Sequence, residues 1–137
     1  MKRIRIFIVT ILLLLFVVVG CKTQKINDGE KISNIEFSIL DEDDAPQEVK
    51  DYIEEQKKEP FRFTYTNCEK YYIVIGYGEK PTGGYSVQVK ELYETNKSII
   101  VETELLGPSK DDVVSMALTY PYIIIQTEYI DKPVSYE

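Results

Sequence analysis

Two short stretches, YYIVIGYG (Tyr71 to Gly78) and YPYIIIQTEY (Tyr120 to Tyr129), consist almost entirely of β-branched and aromatic residues. Neither shows the 3.6-residue repeat of an amphipathic helix. Side chains branched at Cβ are stiff and pack well on a pleated surface, so both runs are expected to be strands. An unbroken apolar run points further, to central strands covered on one face and partly on the other. Around this pair the rest of the chain alternates. In YSVQVKELYE, Tyr85, Val87 and Val89 point one way, and Ser86, Gln88 and Lys90 the other. SIIVETELLG places Ile99, Val101, Thr103 and Leu105 on one side, and ETNK between the two segments is a turn in which Asn96 accepts positive φ. NIEFSIL and FRFTYTN are two shorter strand candidates.

One segment is helical in pattern. DAPQEVKDYIEEQKK begins at Asp44, with Gln47 three residues on in a capping-box arrangement and Pro46 in the first turn, where its missing N–H costs little. Val49, Tyr52 and Ile53 share a face, and Pro60 forbids continuation. The acidic run Asp41 to Asp44 suits the positive end of a helix dipole. As a calcium loop it fails, because Pro46 stands where that loop needs its turning glycine. The expected fold class is α+β, mainly β, with an antiparallel sheet of five to six strands and one helix packed on it.

The front of the chain has a different character. Lys2, Arg3 and Arg5 precede a run of 14 residues, Ile6 to Val19, that is apolar except for Thr10. A spanning helix needs about 20 apolar residues, and this run stops short. It ends in Val18-Val19-Gly20-Cys21, which resembles the cleavage block of bacterial lipoproteins. The resemblance implies a leader over residues 1–20, acylation of the Cys21 thiol and cleavage before it. A polar tether over residues 21–32 and a single domain over 33–137 would follow. The expected location is the extracytoplasmic face of the cell membrane, held by lipid. Removing the leader takes three of the 16 basic residues and leaves 13 against 23 acidic ones, a formal charge of −10. Such a surface repels nucleic acid and anionic lipid. With Cys21 acylated, Cys68 is the remaining thiol, so no internal disulfide forms, and a small buried side chain is its expected role.

Composition also removes most catalytic chemistry. The chain has no histidine, which excludes Ser-His and Cys-His nucleophile pairs and imidazole ligation of zinc. No serine precedes a lysine by three positions, and there is no G-x-S-x-G elbow. Asp111 with Asp112, and Glu102 with Glu104, are carboxylate pairs better explained as solvated surface. The chain is therefore expected not to be an enzyme, and to need no cofactor or metal.

GEKPTGGYSV, residues 78–87, has the composition of a phosphate-binding loop but not its order. A P-loop needs lysine after its second glycine and a helix next, whereas Lys80 precedes Pro81 and the chain after Tyr85 has period two. No helix N-terminus is available to meet a phosphate, so no nucleotide is expected. The residues instead suit a hairpin between YYIVIGYGE and YSVQVKELYE, with Pro81 presetting φ and Gly83 or Gly84 supplying a positive φ.

This block is similar to the PrcB C-terminal family, a protease complex subunit family. The similarity covers about Tyr71 to Tyr129 and rests on Gly78, Lys80, Pro81, Thr82, Gly83, Gly84, Tyr85 and Ser86, an isolated Pro108, and Thr119, Tyr120 and Pro121. It implies a non-catalytic, lipid-anchored protein that binds and supports a secreted protease or another envelope protein. Candidate partner-binding residues are Lys80, Pro81, Thr82, Gly83, Gly84, Tyr85, Tyr120 and Tyr122. Pro81, Thr82, Gly84 and Tyr85 also resemble the N-P-T-T-G-Y loop of chagasin-like cysteine protease inhibitors, with Lys80 and Gly83 departing from it. That implies, as an alternative, inhibition through the Pro81–Tyr85 hairpin loop; a structural envelope lipoprotein is the third option. The lipoprotein expectation has a direct check. Cys21→Ala should abolish incorporation of a tagged fatty acid, and equal labelling of wild type and variant would rule the anchor out.

Overall fold

The computed structural model describes residues 1–3, 29–67 and 69–137. The expected leader beyond Arg3, Cys21, the first part of the expected tether and Cys68 lie outside the described residues.

The strands are β1 (Lys31–Asn34), β2 (Ser38–Leu40), β3 (Pro60–Asn67), β4 (Lys70–Tyr77), β5 (Ser86–Thr95), β6 (Ile99–Leu106), β7 (Tyr122–Glu128) and β8 (Val134–Tyr136), with helix α1 (Gln47–Gln56) between β2 and β3. The mainly-β class with one packed helix holds. The strands, however, divide between two four-stranded sheets, in the orders β1-β5-β6-β8 and β2-β7-β4-β3. All pairings are antiparallel except β6 with β8.

The second of these sheets is the middle layer. Along β4, Tyr72 and Val74 turn towards α1 and join Ala45, Val49, Ile53, Phe61 and Ile124 in one core. The alternate residues Ile73 and Ile75 turn the other way and, with Ile123 and Ile125 of β7, pack against Leu92, Ile99 and Val101 of the facing sheet. The two unbroken apolar runs are thus covered on both faces, more completely than the sequence suggested. The cover the sequence did not reveal is the β5–β6 hairpin, whose alternating residues Val87 and Val89 pack against this second core. A register shift between Val89 and Glu91 re-phases β5, so that Leu92 rather than Glu91 becomes buried.

Two local expectations are corrected. NIEFSIL is not one strand: the chain leaves one sheet at Asn34 and joins the other at Ser38, and these residues are split between β1 and β2. The capping box does not form either. Asp44 belongs to a 3-10 turn, Glu42–Asp44, and Pro46 takes the cap position in extended geometry without a side-chain cap bond. The Pro46 carbonyl instead accepts the Val49 and Lys50 N–H groups, each at 3.1 Å, and Gln47 donates to Asp51 at 2.7 Å.

Because Ile124 is buried against α1 and Thr64 is exposed on β3, their truncations should differ sharply. Ile124→Ala should cost about 2–5 kcal/mol and lower the urea midpoint without changing the slope. Thr64→Ala should stay within about 0.5 kcal/mol of wild type.

Candidate functional site

The segment Gly78–Tyr85 joins β4 to β5, which lie in different sheets, so it is not a hairpin loop. This corrects the expected pairing. Both flanking strands carry the right pattern, but each finds its neighbours elsewhere, β4 with β3 and β7, and β5 with β1 and β6.

The crossover is held by continuing the β4–β7 ladder beyond both strands. The Tyr77 N–H donates to the Pro121 carbonyl at 3.0 Å. Lys80 and Thr119 then exchange both main-chain bonds, at 2.8 and 3.0 Å. Between Gly76↔Tyr122 and Lys80↔Thr119 the chain advances four residues on one side and three on the other. The extra residue is absorbed at Gly78, whose φ of +77° places it in the left-handed region. Further out, Thr119 Oγ1 donates to the Thr82 carbonyl at 2.6 Å, and the Gly83 N–H donates to the Ser115 carbonyl at 2.8 Å. The crossover and the long loop 107–121 are therefore clamped together along their lengths.

Each candidate residue has a definite place in this clamp. Lys80 is half-buried and bridges through its main chain, while Pro81 is exposed. Thr82 is half-buried and its hydroxyl donates to the Gly83 carbonyl at 3.0 Å. Of the two glycines offered for positive φ, it is Gly84 that adopts it, at +85°. A Cβ there would lie 2.8 Å from Val114 Cγ1 and 2.9 Å from Pro108 Cβ. The Tyr85 ring packs against Gly107, where a Cβ would sit 3.2 Å from the ring edge. Tyr120 lies beside the clamp, with the Lys57 ammonium 5.1 Å from its ring centroid. Tyr122 is not gathered with the others. Its ring packs in the core under α1, and its hydroxyl donates to Glu42 Oε2 at 2.6 Å. Burial, reinforced by that carboxylate, pushes the Tyr122 phenol far above its ordinary range and keeps it a neutral donor.

The carboxylate pairs have structural partners. Asp112 Oδ2 accepts the Ser109 N–H at 2.8 Å, closing a turn in the long loop. Glu102 pairs with Lys90 at 3.1 Å, and Glu104 accepts from Gln88 at 3.0 Å.

The long loop also carries a feature that sequence patterning missed. Val113, Met116 and Leu118 are 102%, 83% and 56% exposed, and Leu106 at the end of β6 is exposed as well. In a loop without periodicity nothing in the sequence marks such residues as outward-facing. They surround Val114 and Ser115, the residues that meet Gly84 and Gly83. This end is remote from where the chain enters the domain. Gly29 lies against Asn96 and Lys31 pairs with Thr95, whereas Ser86 and Leu106 pair at the opposite end of β5. The length of β5 separates the two ends by roughly 30 Å.

The glycine geometry makes a specific demand. Gly84→Val combines an unfavourable φ with two close contacts, and should destabilise by about 2 kcal/mol or more. Gly83→Ala, where φ is negative and the nearest atom to a Cβ is 3.4 Å away, should change the thermal midpoint little. Calorimetry of the two variants provides the check.

The chain is 32% identical over 103 residues to the uncharacterized protein MJ1373 of Methanocaldococcus jannaschii, an alignment covering 74% of this chain. It spans 61% of that relative's length. No solved structure matches. Residues 71–128, which run from the start of the apolar β4 through the clamp to the end of β7, match the family described as PrcB C-terminal. The stretch of this chain similar to that family thus runs from β4 through β5 and β6 to β7 and includes both loops of the clamp.

Proposed function

We propose that this protein is a non-catalytic extracytoplasmic lipoprotein, anchored through Cys21, that binds and supports a secreted protease or another envelope protein. The observation that carries the reading is the exposed apolar group Val113, Met116 and Leu118, held on a clamped loop at the end of the domain away from the chain's point of entry. Exposed apolar residues grouped within a polar rim are the usual mark of a protein-binding surface. The family match over residues 71–128 points to association with a protease complex. An anchor at Cys21 would enter beside Asn96 and leave the opposite end facing outward.

Inhibition through Pro81–Tyr85 has less support. A loop that enters a protease cleft must project, whereas Thr82, Gly83 and Tyr85 are half-buried under the long loop and tied to Ser115 and Thr119.

The test is a paired purification of the full lipidated protein from a mild detergent extract. Val113→Asp combined with Met116→Asp alters two largely solvated side chains and should change the stability by no more than about 0.5 kcal/mol. A co-purifying protease should fall by about tenfold or more, as expected when apolar anchors at the centre of an interface are lost. Recovery of the same proteins in the same amounts with both forms would overturn the assignment of this surface.

A further inference from the structure

The end of the domain where the chain enters carries three exposed side chains with large apolar surface, Ile32, Phe37 and Tyr129. Main-chain pairing brings their segments to this end. Lys31 pairs with Thr95, and a register shift before Ser33 leaves Ile32 without a partner across the β1–β5 ladder. Phe37 precedes Ser38, which pairs with Gln126, and it lines a shallow hollow with Lys70, Thr127 and Glu128. Tyr129 follows directly on β7. Its N–H donates to the Glu69 carbonyl at 2.9 Å, and its ring stands edge-on to Tyr71. The Lys132 ammonium ties the two sides together, donating to the Thr95 carbonyl at 2.7 Å. Two carboxylates of this end, Glu94 and Glu128, are paired with Lys132 and Lys70, which lowers its negative charge.

Gly29 stands eight positions after Cys21. A chain of that length reaches at most about 30 Å even when fully extended. A short linker holds what it carries at an effective concentration on the order of millimolar. A contact too weak to capture a free protein is then well populated in an anchored one.

We propose that Ile32, Phe37 and Tyr129 rest in the interfacial layer of the lipid bilayer and so stand the domain upright on the membrane, an inference that rests on the anchor at Cys21 proposed above. Tyrosine suits that layer, because its ring is apolar and its hydroxyl stays among polar groups. Here the Tyr129 hydroxyl donates to Asp131 at 3.2 Å. A lipid interface also demands no shape complementarity, which fits side chains spread over three segments rather than gathered in one groove. The contact is apolar, as the acidic charge of the whole chain requires. It places the loop around Val113 at the end of the domain away from the lipid.

The chain has no tryptophan, so one introduced residue reports alone. Full-length lipidated protein carrying Phe37→Trp, Tyr129→Trp or Val113→Trp is reconstituted in phosphatidylcholine vesicles, with and without acyl-brominated phosphatidylcholine. The first two should emit to the blue and lose about half their intensity to the brominated lipid, as for a side chain about 5–10 Å into the interface. Val113→Trp should keep its intensity. Adding Ile32→Asp and Phe37→Asp to Tyr129→Trp should restore the emission, while flotation with the vesicles, which reads the anchor, stays unchanged. The readings on the single-tryptophan proteins stand even if the aspartate variant unfolds. Flotation without quenching at positions 37 and 129 would overturn the proposal and leave the anchor in place. Failure to float would remove the anchor and this inference with it. Blue-shifted emission that bromine does not quench, as under a second copy of the chain, would overturn it too, and so would equal quenching at position 113.

Discussion

The pairing of β4 with β7 is the constraint on which the rest of the molecule depends. Seven consecutive positions are in register, from Lys70↔Glu128 to Gly76↔Tyr122. Because side chains alternate across a sheet, this one ladder supplies both cores. Val74 and Ile124 face α1, while Ile73, Ile75, Ile123 and Ile125 face the β5–β6 hairpin. A slip of one residue would exchange the two faces of a strand, so the register is strongly specified wherever both sides are buried. The helix and the second sheet are the two covers that this doubly apolar pair requires.

The clamped loops are an extension of the same ladder. Past the strand ends the two chains remain paired at Tyr77–Pro121 and Lys80–Thr119, and the mismatch of one residue is taken up at Gly78. From there Thr119 and Ser115 reach Thr82 and Gly83, and Gly84 fits against Pro108 and Val114. The glycines and threonines of this block thus position one loop on another. What the clamp presents to solvent is the neighbouring loop with its exposed valine, methionine and leucine. The loop around Val113 offers side-chain hydrophobic area, which suits a folded partner with a complementary depression.

Periodicity and composition were enough to determine the local elements of this protein. The unbroken runs at β4 and β7, the alternation of β5 and the apolar face of α1 all state how a short segment buries its side chains, and that information is contained within the segment. The absence of histidine likewise needed no structure to exclude imidazole chemistry. Which strands become neighbours was decided by tertiary structure. The sequence order β4, loop, β5 looks like a hairpin, yet β4 pairs with β7 across about 50 intervening residues because two apolar strands exclude more water together than either does beside a half-polar one. β8, at three residues, is too short to show a period, and it exists because β6 offers it an edge. The outward placement of Val113, Met116 and Leu118 had no local signature either. Whether an apolar side chain in an irregular loop is buried depends on what packs over it, and that is a property of the assembled chain.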